Sequence, residues 1–326
     1  MEIALQALLL ATGFLLLVKG ADWFVDSAAG LARRLKIPQL IIGLTIVAMG
    51  TSMPEAAVSI SAAVKGSADI TIGNIVGSNI LNILMILGLS ALVSPLAVES
   101  STIRYDLPFL ILVTALVFVL GLDGTISFTD GILLLLLFAA YLTYLFITAR
   151  KNHTGQTSPE EYALAAAEQT DGNVSGRHQK KPCPLLFLFT AVGLVMIVAG
   201  SSVTVKAASS IARIFGVSER FIGLTIVALG TSLPELFTSV TAARKGNADI
   251  AVGNIVGSNI FNLLFVIGVS ALVIPVPYSA AFQYDNLIAG AAALLLLFCC
   301  LKKKRLLPHH GILMLFGYAV YFTVFL

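Results

Sequence analysis

The chain has 326 residues, 58% of them hydrophobic and 11% charged, with a mean hydropathy of +0.96. Soluble domains carry roughly 25% charged residues, so this composition excludes a water-soluble globule. The net charge of +3 is small and says little by itself, so the placement of the few charges along the chain matters more, and no nucleic-acid partner is expected.

Apolar runs of about 20 residues, the length that crosses a bilayer core, recur from end to end. The first, 3–29, has neither a basic stretch before it nor a small-residue cleavage site after it, and reads as a retained helix. Further spans are expected at 39–64, 70–94, 105–122 and 130–149. Residues 150–182, RKNHTGQTSPEEYALAAAEQTDGNVSGRHQKKP, are too polar to bury a core and read as a linker, with a short helix around EEYALAAAE. A second group follows at 184–212, 219–243, 250–275, 282–301 and 309–326. Cys183, Cys299 and Cys300 have no zinc-type or redox spacing and read as packing residues.

The expected fold is an all-α polytopic membrane protein of ten transmembrane helices, embedded in the plasma (inner) membrane. Its domains are a first five-helix repeat (1–149), a linker (150–182) and a second repeat (183–326). Cytoplasmic loops accumulate lysine and arginine. With the linker inside, 15 of these residues fall on the cytoplasmic side: Arg33, Arg34, Lys36, Arg104, Arg150, Lys151, Arg177, Lys180, Lys181, Arg244, Lys245, Lys302, Lys303, Lys304 and Arg305. Lys65, Lys206, Arg213 and Arg220 remain outside, as do both termini.

An offset of 180 aligns residues 43–96 with 223–276 at 35 identical positions of 54, without a gap. GLTIVAMGTSMPE pairs with GLTIVALGTSLPE, and ADITIGNIVGSNILN with ADIAVGNIVGSNIFN. Loosely similar apolar helices would not also align Gly, Thr, Ser, Pro, Glu and Asn. Five spans per repeat is an odd number, so the repeats enter the membrane in opposite senses. Inverted repeats of this kind build secondary transporters, with the site at the repeat interface near the midplane.

Glu55 and Glu235 lie deep in spans two and seven, where a carboxylate costs at least ~2.5 kcal/mol and marks a site. Thr51 and Thr231 share their helix faces at i−4, with Ser52 and Ser232 beside them. Pro54 and Pro234 kink the helix and release carbonyls near Gly50 and Gly230. In span three, Asn74, Ser78 and Asn82 form a stripe at i, i+4 and i+8, repeated by Asn254, Ser258 and Asn262. The stripe reads as ion ligands or as interhelical hydrogen bonds, the latter above all for Asn74 and Asn254. Glycines 73 and 77, like 253 and 257, give a small-xxx-small pattern for close approach. Asp69 and Asp249 read as helix caps or entrance charges. Two carboxylates with hydroxyl, amide and carbonyl oxygens, and no His or Cys, suit hard cations such as Ca²⁺ or Na⁺. Two negative charges balance one Ca²⁺ or two Na⁺, a physical route to exchange.

The paired GTS[ML]PE and GN-I-V-GSN-I-x-N blocks resemble the two alpha-repeats of the cation/calcium exchanger superfamily, in particular its prokaryotic sodium/calcium exchanger-like members. The resemblance implies a Na⁺/Ca²⁺ antiporter working by alternating access, with spans two, three, seven and eight around the ions. It implies no enzyme activity, no cofactor and no obligatory protein partner; the partners are Ca²⁺, Na⁺ and the lipid bilayer, with H⁺ as a further candidate. Carried over residue by residue, it makes Glu55 and Glu235 ligands of both ions. Thr51, Thr231, Ala48 and Ala228 would offer backbone carbonyls, Ser78 and Ser258 would serve the flanking Na⁺ sites, and Asn82 and Asn262 would line the centre. Spans one and six resemble the family's long helices that slide across the core. Asn262 departs from members that carry aspartate there, the potassium-dependent branch among them. The alternatives are exchange of Ca²⁺ for H⁺ or a K⁺- or Mn²⁺-linked antiporter on the same fold, and outside transport a channel or membrane-embedded enzyme.

Overall fold

The computed structural model describes residues 2–154, 182–217, 226 and 228–325. The chain runs through α1 (Glu2–Leu35), α2 (Gln39–Thr51), α3 (Met53–Val64), α4 (Ile70–Val93), β1 (Leu96–Ala97), α5 (Thr102–Asp123), β2 (Thr125–Ile126) and α6 (Phe128–Thr154). It continues with α7 (Cys183–Ile214), α8 (Ala228–Thr231), α9 (Leu233–Arg244), α10 (Ala248–Val273), β3 (Val276–Pro277), α11 (Ala280–Leu301), β4 (Arg305–Leu306) and α12 (Pro308–Phe325). The expected linker helix and the first part of span seven fall outside the described residues.

This is an all-helical polytopic membrane fold. Among the described residues, seven helices are long and apolar enough to cross a bilayer, and the bent pair α2–α3 makes an eighth. Large apolar side chains such as Leu8, Leu15, Val195, Phe298 and Phe316 point outward, the arrangement a hydrocarbon solvent requires.

The expected kink at Pro54 is a break. Ser52 leaves helical geometry (φ −82, ψ 7), and α2 and α3 meet at 48°. Pro54 occupies the first turn of α3, where a missing N–H removes no helical bond, so the chain restarts its helix there. Ser232 breaks the second repeat in the same way (φ −88, ψ 5), with Pro234 in the first turn of α9.

α4 and α10 form the centre. Of their most apolar windows 78% and 83% are buried, against 17% for α1 and 22% for α6. Small residues permit this: a Cβ on Gly253 would stand 2.9 Å from the Leu40 carbonyl, so α2 lies directly on the α10 backbone. α1 and α7 cross as closely, on the outside of the core. A Cβ on Gly20 would lie 2.9 Å from the Gly193 carbonyl, and one on Gly200 would lie 2.9 Å from that of Gly13. The two contacts exchange under the 180-residue offset.

Short strand pairs tie the repeats together. β1 pairs antiparallel with β4 (Leu96↔Leu306, Ala97↔Arg305), and β2 with β3 (Thr125↔Pro277, Ile126↔Val276). Charges fasten α1 to the end of α9. Lys245 Nζ lies 3.1 Å from Asp22 Oδ1 and 2.9 Å from Asp26 Oδ1, and Arg244 Nη2 is 3.3 Å from Asp22 Oδ1. The capping role expected of Asp69 and Asp249 is not found. α10's helical run is preceded by Asn247 without a side-chain cap, because Asp249 falls inside its first turn, and the run that continues as α4 starts at Asp69 itself, after Ala68. Cys183, Cys299 and Cys300 are all free.

Candidate ion-binding site

The two breaks and the two central helices put the chemistry together. Glu55 and Glu235, each one turn past its break, are buried to 1% and 0% exposure. The serines at the breaks bond crosswise. Ser52 Oγ donates to Glu235 Oε1 at 2.7 Å, and Ser232 Oγ donates to Glu55 Oε1 at 2.9 Å. Each repeat therefore holds the other's carboxylate. Ser78 Oγ is 3.4 Å from Ser232 Oγ, which brings the α4 stripe into the same cluster.

Thr51 Oγ1 lies 3.0 Å from Asn254 Oδ1 and 3.1 Å from the Val47 carbonyl. Thr231 is the last residue of α8, next to Ser232 at the break. Ser258 Oγ donates to the Ala48 carbonyl at 3.3 Å, which also accepts the Ser52 N–H at 3.0 Å. Ala228 opens α8, one turn before Ser232. Asn74 and Asn254 follow the interhelical reading. Asn74 Nδ2 reaches Ser59 Oγ at 2.9 Å and the Glu55 carbonyl at 3.2 Å, and Asn254 Nδ2 reaches Ser239 Oγ at 2.9 Å and the Glu235 carbonyl at 3.5 Å. They pin α4 to α3 and α10 to α9.

The second oxygen of each glutamate, Oε2, is buried without a hydrogen-bond partner, and so is the Oδ1 of Asn82 and of Asn262. Buried polar atoms are paired in the great majority of cases. Here two carboxylate and two amide oxygens, in pairs related by the offset, are left as acceptors with no donor. Their chemistry is that of a hard cation's coordination shell. Among the described residues no group of three or more His, Cys, Asp or Glu assembles, which excludes a zinc-type cluster there.

Sequence reasoning missed Asn79 and Asn259. Both are buried, and they bond to each other's helix where α4 and α10 cross. They lie one residue off the polar stripe, and the signal was their identity across the offset within GSNI. Ser201 was also missed: its Oγ donates to the Gly230 carbonyl at 2.6 Å, and residue 234, being proline, cannot supply the helical N–H there.

The chain matches the family described as sodium/calcium exchanger protein over residues 5–147 and 185–326. It belongs to that family. It is 41% identical over 271 residues to inner membrane protein YrbG of Escherichia coli, covering 83% of this chain and 81% of that one. The sodium/calcium exchanger MaX1 of Methanosarcina acetivorans is 33% identical over 303 residues, covering 84% and 85%. A solved structure of the sodium-calcium exchanger NCX_Mj, soaked with 10 mM Na⁺ and zero Ca²⁺, superposes with a TM-score of 0.83 at 30% identity over 99% of both chains. As a prokaryotic member of the cation/calcium exchanger superfamily, the chain is a cation/Ca²⁺ antiporter of the membrane, not an enzyme.

Proposed function

We propose that the chain exchanges Na⁺ for Ca²⁺ by alternating access, extruding Ca²⁺ at the expense of the sodium gradient. The ions would share one site made by Glu55, Glu235, Asn82 and Asn262, with Thr51, Thr231, Ser52, Ser232, Ser78, Ser258, Ala48 and Ala228 around it. The observation that carries this reading is the set of four buried acceptor oxygens without donors. Two carboxylates match the charge of one Ca²⁺ or two Na⁺, so the loads compete for the same atoms. The names of MaX1 and NCX_Mj support Na⁺ as the coupling ion.

Ten spans in two inverted repeats remain the layout, with domains 1–149, 150–182 and 183–326. The strand pairs support it by parity, since paired strands must lie on one side of a membrane. Between β2 and β3 the long helices α6, α7 and α10 alone would give an odd number of crossings. Adding α8–α9, broken at Ser232 as α2–α3 is at Ser52, makes the number even. The same addition makes the number even between β1 and β4. Lysine and arginine in the loops then place the linker in the cytoplasm and both termini outside.

The test is uptake of radiolabelled Ca²⁺ into proteoliposomes loaded with Na⁺ and diluted into Na⁺-free buffer. Uptake should require the outward Na⁺ gradient and collapse when it is dissipated. Uptake that ignores Na⁺ and follows only a pH gradient would replace this reading with Ca²⁺/H⁺ exchange.

A further inference from the structure

Four asparagines meet where α4 and α10 cross, and all four are buried. Asn259 Nδ2 donates to the Asn79 backbone carbonyl, and Asn79 Nδ2 to the Asn259 backbone carbonyl, each at 3.2 Å. Asn82 Nδ2 donates to Asn259 Oδ1 at 2.9 Å, and Asn262 Nδ2 to Asn79 Oδ1 at 3.1 Å. The result is a closed, twofold arrangement in which every Nδ2 is used.

The direction of these bonds has one origin. A backbone carbonyl only accepts, so the Asn259 side chain must present its Nδ2 to Asn79 and its Oδ1 to Asn82. Asn82 must then present Nδ2 to that oxygen, which turns its own Oδ1 the other way. Flipping Asn82 alone would oppose two oxygens at hydrogen-bond distance, and flipping Asn259 would oppose oxygen to oxygen and nitrogen to nitrogen. The same logic runs from the Asn259 carbonyl through Asn79 to Asn262. Both Oδ1 atoms that emerge are the ones without a partner, and Asn82 lies one turn beyond Ser78 on the face that meets Ser232 and Glu55.

We propose that Asn79 and Asn259 are positioning residues that lock the amides of Asn262 and Asn82, each in the opposite repeat, so that both Oδ1 atoms face the ion. This rests on the central site named above. It gives the two halves of the site a mechanical link: an amide on one central helix sets a ligand on the other. Shells of this kind commonly hold metal ligands, and disturbing them lowers affinity by roughly 10–100-fold.

The experiment is a double-mutant cycle on Ca²⁺ binding, measured calorimetrically on purified protein in detergent, with CaCl₂ as the titrant. Asn259→Ala should weaken Ca²⁺ by about tenfold. Combined with Asn82→Ala it should weaken Ca²⁺ no further than Asn82→Ala alone, because the lock acts only through that amide. Combined with Asn262→Ala the two losses should multiply. Asn79→Ala should show the mirror pattern, weakening Ca²⁺ no further when combined with Asn262→Ala and multiplying with Asn82→Ala. That second cycle decides the matter where Asn259→Ala does not fold. A general loss of structure would multiply with every partner, so losses that multiply in all four pairs overturn the proposal, as does wild-type affinity in both single variants. Because no gradient is involved, failure of Na⁺-driven uptake in liposomes would strike the coupling reading and leave this result standing.

Discussion

Adding one methyl group at Gly200 tests the crossing of α1 and α7. An alanine there would put its Cβ 2.9 Å from the Gly13 carbonyl oxygen, the Leu16 Cβ and the Leu17 nitrogen. Two of those atoms are backbone and cannot rotate away. Carbon contacts reach their optimum at about 3.5–4.0 Å, so α1 must retreat by roughly 0.6 Å or more. Overpacking of this kind costs about 1–3 kcal/mol. Alanine returns up to ~1 kcal/mol through its helix propensity, which leaves a net loss of up to ~2 kcal/mol against wild type, and of about 1–3 kcal/mol against a variant that takes the same gain without the clash. Gly290→Ala is the matched control, since its new methyl would meet only Thr114 Cγ2 at 3.8 Å. Melting midpoints of the two variants in one detergent decide the question. Gly200→Ala should melt below wild type and Gly290→Ala at or above it. A Gly200→Ala protein as stable as the control would refute the close crossing of α1 and α7.

Glu55→Gln or Glu235→Gln removes one of two buried charges from the site. By analogy with breaking a buried ion pair, worth about 3 kcal/mol or more, Na⁺-driven Ca²⁺ uptake should drop ~100-fold or further while the protein still inserts; normal uptake in both would sink the site. Ser201→Ala installs the residue found at the offset position, Ala21, and strips the Gly230 carbonyl of its 2.6 Å donor. Thermal unfolding should show a loss of about 1–3 kcal/mol, and an unchanged midpoint would mean that another group serves the carbonyl. Lys245→Met removes the ion pairs to Asp22 and Asp26, each worth up to ~1 kcal/mol at a partly exposed position. Wild type should lose more stability than the variant as choline chloride is raised, since only the Arg244–Asp22 pair remains in the variant; equal salt responses would show that the Lys245 pairs contribute nothing.

Much of the fold was written in one dimension. The repeat offset, the two prolines and the buried glutamates all follow from position along the chain, because a bilayer makes length and polarity decisive. The broken helix at Ser52 was legible as a kink for the same reason, through the missing N–H of Pro54. What escaped the sequence depends on two helices meeting. Ser52 was expected beside Glu55, its own neighbour, yet it bonds Glu235 of the other repeat. Asn79 lies off the Asn74–Ser78–Asn82 stripe, so a single helix's periodicity gives it no role. Its role exists only where α4 crosses α10. Asp249 resembled a cap because it stands at the edge of an apolar run, but the helix begins earlier, after Asn247.

The proposed ion ligands are nearly twofold symmetric, whereas the charges on the outer helices are not. Carried through the 180-residue offset, Asp22 and Asp26 become Ser202 and Lys206, while Arg244 and Lys245 become Val64 and Lys65. The attraction that fastens α1 to the end of α9 thus has a counterpart made only of cations. The two repeats, alike in their central residues, therefore differ in the electrostatic free energy of their outer helices. The pairs are partly open to water, where the screening length is about 8 Å at 0.15 M salt. A protein that moves salt ions carries a clasp whose grip is set by salt.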